Sequence, residues 1–440
     1  MKRRIFLSIL GIGFYEKCRY QKDDFLGTET TFVQQNLIEY LQEKAGWGHD
    51  DNDKVIMLLT DDAKNNNWNK NITLRFNAKC QKELPYIGLE KILVDLGVSY
   101  KSVHIEDGKD ESQMWGLFEV IFNQLEEGDH LYLDITNSFR YLPMLLVVLV
   151  NYAKLLKDVK VEAIYYGNYE ARNQENNIAP IMDLLPLSSL QDWTSAASDY
   201  LQYGQVDKLH ALSNRSLAPI LRNPATRTKD SESLRKFVNT LKEAVDERIT
   251  CRGRKIVESK NIKYLKEKAN EIQDVTLPQL RPVFEKINNS LTDFDIKENV
   301  HNSLVAAKWC FENKLYQQAT TLLEEGLITI LCNHYGLGYK EQDNRDIISS
   351  CIHIATNDTS EDDWKVKQEK DKATINRILA DKHAWKNKDF LKLLINVRNL
   401  RNDYNHAGFK ESALLADTVI GNVREFMDSL DLIEKVLSTR

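Results

Sequence analysis

Over roughly the first 185 residues, short apolar segments alternate with amphipathic ones, and this alternation limits the folds that the chain can adopt. The apolar segments have the length and composition of strands: Ile5–Leu10, Val55–Leu59, Val103–Ile105, Leu131–Leu133 and Val159–Tyr166. Helical periodicity marks the segments between them: Thr30–Lys44, Tyr86–Leu96, Gln113–Leu125 and Leu142–Leu156. Buried strands separated by helices predict an α/β domain over residues 1–185 with a parallel, doubly wound sheet. Such sheets bind ligands outside the carboxyl ends of their strands.

No strand pattern follows Asp183, and the rest of the chain has helical patterns. Residues 186–295 are polar and rich in lysine, and prolines interrupt them. Longer apolar stripes return from residue 296 onward, most clearly over Ala306–Cys332 and Leu391–Tyr404. We therefore expect a helical connecting domain over 186–295 and a second all-helical domain over 296–440.

Charge and cysteine content exclude several classes of protein. The 440-residue chain has a net charge of −6, so any contact with nucleic acid requires a local basic patch. Its six cysteines are scattered without a CxxC pair, which predicts reduced thiols and no metal site. The longest apolar run, Met144–Val150, is too short to cross a bilayer, so a cytoplasmic protein is expected.

The segment DITNSFRYLP, Asp134–Pro143, is the most informative of the predicted strand ends. Thr136, Asn137, Ser138 and Arg140 would lie between a strand and the first turn of a helix, where helix dipole and free N–H groups favour phosphate. Hydroxyl and amide side chains at this position also cap helices, and the spacing favours neither interpretation. Neither the GxGxxG fingerprint nor the phosphate loop of NTPases is present.

A second candidate site is the segment RNDYNH near the end of the chain. The helical pattern predicts that Arg398 and Arg401 are neighbours, one turn apart, beside a core-facing apolar stripe. His406 lies about 140° around an ideal helix from Arg401, and Gly408 predicts that the helix ends nearby. Histidine can move a proton near neutral pH and arginine can stabilise a charged phosphorane. By itself, this pair is more typical of a helix surface or cap than of a catalytic site.

Together these segments resemble the CRISPR-associated Rossmann-fold (CARF) sensors joined to HEPN ribonucleases of type III interference systems. The resemblance rests on LGIGFY near the start and on GDHLYLDITNSFRYLP, Gly128–Pro143. It continues in YYGNYEAR and DLLPLSSLQDW and closes with RNDYNH, which fits the HEPN pattern of arginine, four to six residues and histidine. Asn137 and Ser138 differ from the histidine and glycine that many members carry there, but Asn137 can still donate and accept hydrogen bonds.

The resemblance implies a Rossmann-like CARF domain, a helical linker and an all-α HEPN domain. It implies that a cyclic oligoadenylate binds across a homodimer axis, with four adenylates preferred and six the alternative. The implied ligand contacts are Gly11, Gly13, Thr60, Lys64, Thr136, Asn137, Ser138 and Arg140.

The same resemblance implies a composite active site of two chains, in which Arg401 stabilises the phosphorane and His406 assists proton transfer. Asn402 would position the phosphate or His406, and Arg398 would be a substrate contact. The expected activity is metal-independent cleavage of single-stranded RNA to 2′,3′-cyclic phosphate ends. No cofactor, membrane or further protein partner is expected, and association beyond a dimer is left open.

Two other functions fit parts of the sequence. A nucleotide-sensing transcription regulator would contact DNA through the basic cluster CRGRK, with Arg252, Arg254 and Lys255, although such a cluster is more often a solvated helix face. A nucleotide-binding enzyme would use the N-terminal site alone, but the missing phosphate-binding fingerprints argue against it.

Overall fold

A computed structural model describes residues 2–48, 50–69, 72–77, 82–137, 141–271, 280–364, 369–409 and 411–438. The chain divides into two compact units, Met1–Ser189 and Leu190–Arg440. The predicted domain boundaries at residues 185 and 295 stay predictions. Within the described ranges, every helix is too short or too polar to span a bilayer.

The first unit contains a sheet with the strand order β3-β2-β10-β9-β8-β1-β4-β7. A separate antiparallel pair, β5 and β6, lies outside this sheet. The strands are β1 Arg4–Ile9, β2 Arg19–Lys22, β3 Phe25–Leu26, β4 Asp53–Leu59, β5 Ile72–Asn77, β6 Lys82–Ile87, β7 Tyr100–His104, β8 His130–Asp134, β9 Lys160–Gly167 and β10 Ile178–Asp183.

Helices connect the strands of this unit. They are α1 Val33–Ala45, α2 Asp61–Ala63 with a π-helical turn Lys64–Trp68, α3 Leu89–Asp95, α4 Glu111–Phe122, α5 Leu142–Lys157 and a 3₁₀ turn Tyr169–Ala171. Successive β1 side chains enter different cores: Phe6 packs on one face of the sheet and Leu7 on the other. Because β1 is buried on both faces of the sheet, its sequence is almost continuously apolar.

The central strands β9-β8-β1-β4-β7 all run parallel to their neighbours, as the alternating pattern predicted. After β1 the chain adds β4 and β7 on one side, and then crosses to add β8 and β9 on the other. The order therefore reverses between β1 and β8. Ser8 of β1 pairs in register with Asp134 of β8 at this reversal, so the loops that follow both strands lie side by side.

The expectation of a wholly parallel sheet is wrong at one edge. There β10 runs antiparallel to β9, and β2 runs antiparallel to β3. The predicted helix Tyr86–Leu96 is also too long, because Tyr86 belongs to β6 and α3 begins only at Leu89. A Cβ at Gly88 would overlap the backbone of Asn69, so this corner depends on a close approach of two chain segments. Local periodicity contains no sign of such a contact.

From Leu185 onward, the described elements are helical. They are α6 Leu185–Tyr203, α7 Asp207–Arg222, α8 Lys229–Ile249, α9 Gly253–Glu258, α10 Lys260–Glu271, α11 Arg281–Asn289, α12 Asn302–Glu312, α13 Tyr316–His334, α14 Gln342–Asn357, a 3₁₀ turn Glu361–Asp363, α15 Glu369–Leu379, α16 Lys382–Trp385, α17 Lys388–Asn405, α18 Ala416–Asp428 and α19 Leu430–Ser438.

One apolar core runs through the second unit, from Trp193 on α6 to Val436 on α19. The helix α17 contributes Leu393, Val397 and Leu400 to this core, and all three are buried. Their burial confirms the predicted core-facing stripe. The RNDYNH segment forms the last turn of the same helix and its C-cap residue, His406.

Candidate functional site

The helix α17 begins and ends at residues suited to those places. The Asn387 side chain accepts a hydrogen bond from the Phe390 amide at its first turn. At its other end, Ala407 and Gly408 both have left-handed backbone conformations, with φ of 50° and 70°. This conformation ends the helix, because continuing it requires negative φ. His406 is the exposed C-cap residue, so its imidazole is accessible to solvent or to a second chain.

Arg398 and Arg401 meet on one buried carboxylate. Arg398 Nε lies 3.2 Å from Oε1 of Glu324, and Arg401 Nη1 lies 3.2 Å from Oε2 of the same side chain. Glu324 belongs to α13, which packs against α17, and it is 7% exposed. A buried carboxylate is stable there because two guanidinium groups compensate for its lost hydration. The ion pair with Glu324 therefore holds the Arg401 guanidinium in a fixed place.

A second glutamate extends this cluster. Arg401 Nη2 lies 3.3 Å from Oε1 of Glu325, and Arg345 Nη2 lies 2.6 Å from its Oε2. Arg345 also donates to the hydroxyl of Thr329 at 2.9 Å. Three arginines thus share two carboxylates, which leaves one positive charge in excess. Such an excess favours an anionic ligand.

Arg401 also lines a cavity of about 430 Å³. Arg252 and Arg254 of the predicted basic cluster lie in the same cavity wall, together with Lys340. Lys255 is exposed and is not among the described lining residues. No local pattern connects residues 252 and 254 with residue 401, because α9 and α17 meet only through their packing against α13.

In the first unit, a buried carboxylate marks the reversal of strand order. Asp134 is 1% exposed and accepts hydrogen bonds from Ser8 Oγ at 2.7 Å and from Gln34 Nε2 at 3.2 Å. Thr136 donates to it from its amide at 3.0 Å and from its hydroxyl at 2.6 Å. Burial nevertheless raises the pKa of Asp134, and these hydrogen bonds only oppose that effect.

Thr136 does not cap α5, which was one of the two interpretations that the sequence left open. Its hydroxyl also accepts from the amide of Gly167 at 2.8 Å, so it joins the ends of β8 and β9. The helix α5 starts instead after Tyr141, which provides no side-chain cap. Ser138 and Arg140 lie outside the described residues. Asn137 is partly exposed and is the described side chain of this segment left to face a ligand.

Asn67 supports the loop of Gly11 and Gly13, a role that the sequence did not predict. It is fully buried, and its amide nitrogen donates to the carbonyl oxygens of Gly11 at 2.7 Å and Gly13 at 2.9 Å. The Tyr86 hydroxyl donates to its other end at 2.9 Å and so fixes the orientation of the amide. Three consecutive asparagines follow β4, and nothing local distinguishes the one that holds the glycine loop.

Gly11 and Gly13 differ in the space that surrounds them. A Cβ on Gly11 would overlap the hydroxyl of Tyr15 and lie 3.6 Å from the Cβ of Asn137, so a larger residue there would displace the Tyr15 side chain. A Cβ on Gly13 would make only ordinary contacts. Thr60 is 2% exposed, and its hydroxyl accepts from the Ala63 amide, which makes it a helix cap.

A cavity of about 450 Å³ opens beside this loop, and Thr136 and Asn137 line it. Lys64 is exposed on the neighbouring π-helical turn and is not among the described lining residues. The wall also contains four tyrosines: Tyr15, Tyr20, Tyr166 and Tyr169. Aromatic side chains of this kind stack on nucleobases.

Two comparisons show which known proteins this chain resembles. Residues 5–170 match the family model described as the CARF domain of the CRISPR system endoribonuclease Csx1. The chain is also 28% identical over 260 residues to CRISPR-associated protein MJ1674 of Methanocaldococcus jannaschii, which covers 57% of this chain. It spans only 36% of the length of that relative. The chain is thus similar to a CRISPR-associated protein, and residues 5–170 of its N-terminal α/β unit are similar to a CARF domain.

Proposed function

We propose that the chain is a metal-independent endoribonuclease that cuts single-stranded RNA in type III CRISPR antiviral defence when a cyclic oligoadenylate binds. The CARF domain is the sensor, and the helical C-terminal segment 296–440 is a HEPN ribonuclease domain. Cyclic tetra-adenylate is the preferred activator. The nucleophile is the 2′-hydroxyl of the RNA itself, so the proposed reaction needs no metal ion.

The observation that supports this proposal most is the placement of Arg401 and His406. Arg401 is held by Glu324 and Glu325 but stays partly exposed, with 31% of its side chain accessible. His406 is exposed at the helix end. A fixed guanidinium stabilises charge on a phosphorane without moving, while an accessible imidazole can transfer protons. Asn402 is exposed one turn before His406 and is proposed to orient the phosphate.

Two chains are proposed to form the active site. Arg401 and His406 are separated by about 140° on an ideal helix, so they do not share one face of α17. Two exposed apolar side chains follow the motif in the chain: Phe409 is 94% exposed and Leu415 is 78% exposed. Such side chains favour contact with a second copy, and symmetric pairing would bring two motifs together.

The CARF domain offers a second apolar face. Met144, Val148 and Leu155 on α5 are 74%, 57% and 82% exposed. Their spacing places them on one side of the helix, within about 40° of each other. We assign this face to a dimer contact, because a cyclic ligand with two-fold symmetry fits a site shared by two copies.

Adenine recognition is proposed for the cavity beside Asn137. Its tyrosines can stack on purines, and Asn137 can both donate and accept hydrogen bonds. Ser138 and Arg140 are proposed as phosphate contacts from the same loop. Binding would bias the dimer towards a state in which the two RNDYNH segments are correctly spaced.

The test is to incubate the full chain with labelled single-stranded RNA and EDTA, with and without cyclic tetra-adenylate. Cleavage that needs the ligand and leaves 2′,3′-cyclic phosphate ends is expected. The double variant Arg401→Ala, His406→Ala should lose at least a hundredfold in rate, within the range of about 10²–10⁴ for acid–base groups. Arg424→Ala, an exposed arginine on α18, is the control. Full activity in the double variant would exclude the assigned site.

The transcription-regulator alternative predicts a separate DNA-binding surface at the basic cluster. The common cavity of Arg252, Arg254 and Arg401 supports the ribonuclease proposal instead, because the cluster adjoins the proposed active site. Ligand-dependent binding of duplex DNA without RNA cleavage would favour the regulator.

A further inference from the structure

The turn between α8 and α9 places two arginines at the cavity that contains Arg401. The helix α8 ends at Ile249, and Cys251 then takes a left-handed conformation with φ of 54°. This residue reverses the chain, and α9 starts at Gly253. As a result Arg252 and Arg254 both lie in the cavity wall although they flank the first residue of a helix.

Positive charge dominates this cavity. Its described lining contains five cationic side chains and one carboxylate, Glu325. The cations are Arg252, Arg254, Lys340, Arg345 and Arg401. Three further carboxylates reach them from outside the lining: Glu258, Glu298 and Glu324. Even after these are counted, one positive charge remains.

Arg252 contributes most to that excess. The contact of its side chain in the described part of the chain is one hydrogen bond, from Nε to the Thr250 carbonyl oxygen at 2.7 Å. Arg254 pairs with Glu258 at 3.1 Å, and both arginines are exposed. Their guanidinium groups therefore keep donors directed to solvent, which a phosphate could accept in bidentate form.

The cavity also has an aromatic wall and a limited size. Tyr339 lines it, and the ammonium group of Lys340 lies 5.4 Å from the centre of the Tyr339 ring. Basic side chains beside an aromatic ring are typical of proteins that bind single strands. At about 430 Å³, the cavity is of the size of a small-ligand site, which suits a short piece of one strand.

We propose that Arg252 and Arg254 form a binding subsite for backbone phosphates of single-stranded RNA, adjoining the phosphodiester at Arg401. This rests on the proposed function, because it takes RNA as the substrate of the same cavity. The two arginines bind the strand beside the scissile bond and do not take part in the chemistry. They supply affinity that is independent of sequence and sensitive to salt.

The test measures binding by the full chain carrying His406→Ala, which keeps the cationic lining while removing the proposed acid–base group. Fluorescently labelled single-stranded RNA is titrated at salt concentrations from about 50 to 200 mM. Adding Arg252→Ala and Arg254→Ala should weaken binding about tenfold and reduce the slope of log K against log[salt] by about 1.4, or 0.7 per lost phosphate contact.

Two further variants separate charge from structure. Arg252→Lys with Arg254→Lys should keep most of the salt slope, because lysine retains the charge but not the bidentate geometry. Arg235→Ala with Lys236→Ala removes two exposed cations of α8 that are not among the described lining residues, and should leave binding unchanged. Circular dichroism checks that each variant is folded.

Unchanged affinity and salt slope in the alanine pair would overturn the subsite, as would undetectable RNA binding by the parent protein. Equal binding of duplex DNA with the same dependence on both arginines would also overturn it. Failure of the ribonuclease proposal is a separate result, namely no ligand-dependent cleavage by the unaltered chain. Loss of RNA binding in the alanine pair would support the subsite even then.

Discussion

Arg401 and Glu324 form an ion pair between two helices, with Nη1 of the arginine 3.2 Å from Oε2 of the glutamate. The glutamate lies on α13 and the arginine on α17, and Arg398 shares the same carboxylate. An arginine on the surface of a helix would move through many rotamers. This pairing reduces that freedom before any substrate binds, which is a requirement for electrostatic stabilisation of a transition state.

Replacing Glu324 should therefore affect both stability and cleavage. Glu324→Ala leaves two guanidinium groups without their common partner, and we expect a loss of about 3 kcal/mol in the free energy of unfolding. Cleavage should fall at least tenfold, because Arg401 loses its fixed position. Urea denaturation and a cleavage assay on folded protein measure the two effects. The exposed Glu312→Ala is the control, and wild-type behaviour of both variants would contradict the expectation.

The amide of Asn67 should control the glycine loop of the N-terminal unit. Asn67→Ala leaves the carbonyl oxygens of Gly11 and Gly13 without this donor, which costs about 1–2 kcal/mol in stability. Affinity for cyclic tetra-adenylate should also fall, because the loop beside Asn137 loses its anchor. Thermal unfolding and calorimetric titration measure these changes. The exposed neighbour Asn65→Ala should change neither, and equal results for both variants would exclude the role of Asn67.

Gly11 and Tyr15 offer a test by rescue. Gly11→Ala brings a methyl group onto the Tyr15 hydroxyl, and we expect a loss of about 1–3 kcal/mol from overpacking. Removing that hydroxyl leaves the nearest ring carbon 3.5 Å from the new methyl, an ordinary contact. The double variant Gly11→Ala, Tyr15→Phe should therefore recover stability relative to Gly11→Ala alone. If the change in the free energy of unfolding of the double variant equals the sum of the changes in the two single variants, the two positions do not interact.

Asp134 should make stability depend on pH. Burial raises its pKa, so the folded state keeps this proton to higher pH than the unfolded state, where an aspartate titrates at about 3.9. As pH rises from about 4 through the folded-state pKa, this group therefore reduces the free energy of unfolding. Asp134→Asn does not titrate, so its stability relative to wild type should increase over that interval. Urea denaturation at a series of pH values measures the difference, and a constant or falling difference would contradict this.

Dimer formation should require the exposed apolar face of α5, which consists of Met144, Val148 and Leu155. Met144→Asp with Val148→Asp places two charges on this apolar face, which should shift the protein to monomers in light scattering. Ligand-dependent cleavage should fall with the dimer fraction, since the active site is proposed to need two chains. Ile296→Asp changes another exposed apolar residue and is the control. Monomeric wild-type protein with full activity would exclude a composite site.

The residues of α17 show which features of the structure the local sequence pattern can predict. The spacing of Leu393, Val397 and Leu400 predicted which face is buried, because a helix repeats every 3.6 residues whatever it packs against. The same spacing predicted that Arg398 and Arg401 are neighbours. It contained no sign of Glu324, because the carboxylate lies on another helix, far along the chain. Residues that a fold brings together leave no periodic signal in the sequence.

The N-terminal unit shows the same limit. Buried strands separated by helices predicted the parallel centre of the sheet, but the edge strands were missed. The strands β2 and β3 are short, and β10 alternates buried and partly exposed residues. The segment DITNSFR indicated a ligand site at the end of β8. The tertiary structure decided that the Thr136 hydroxyl bonds Asp134 and Gly167, while Asn137 lines the cavity.

The sequence by itself determined the alternating α/β order, the helical second half and the residue types of both candidate sites, because these depend on local periodicity and on motifs of adjacent residues. Only the tertiary structure decided that Asn67 holds Gly11 and Gly13, that Glu324 holds Arg401 and that Arg252 lies in the cavity of Arg401. Each of these contacts joins segments distant in the chain. Their positions follow from how whole helices and strands pack, which no local pattern specifies.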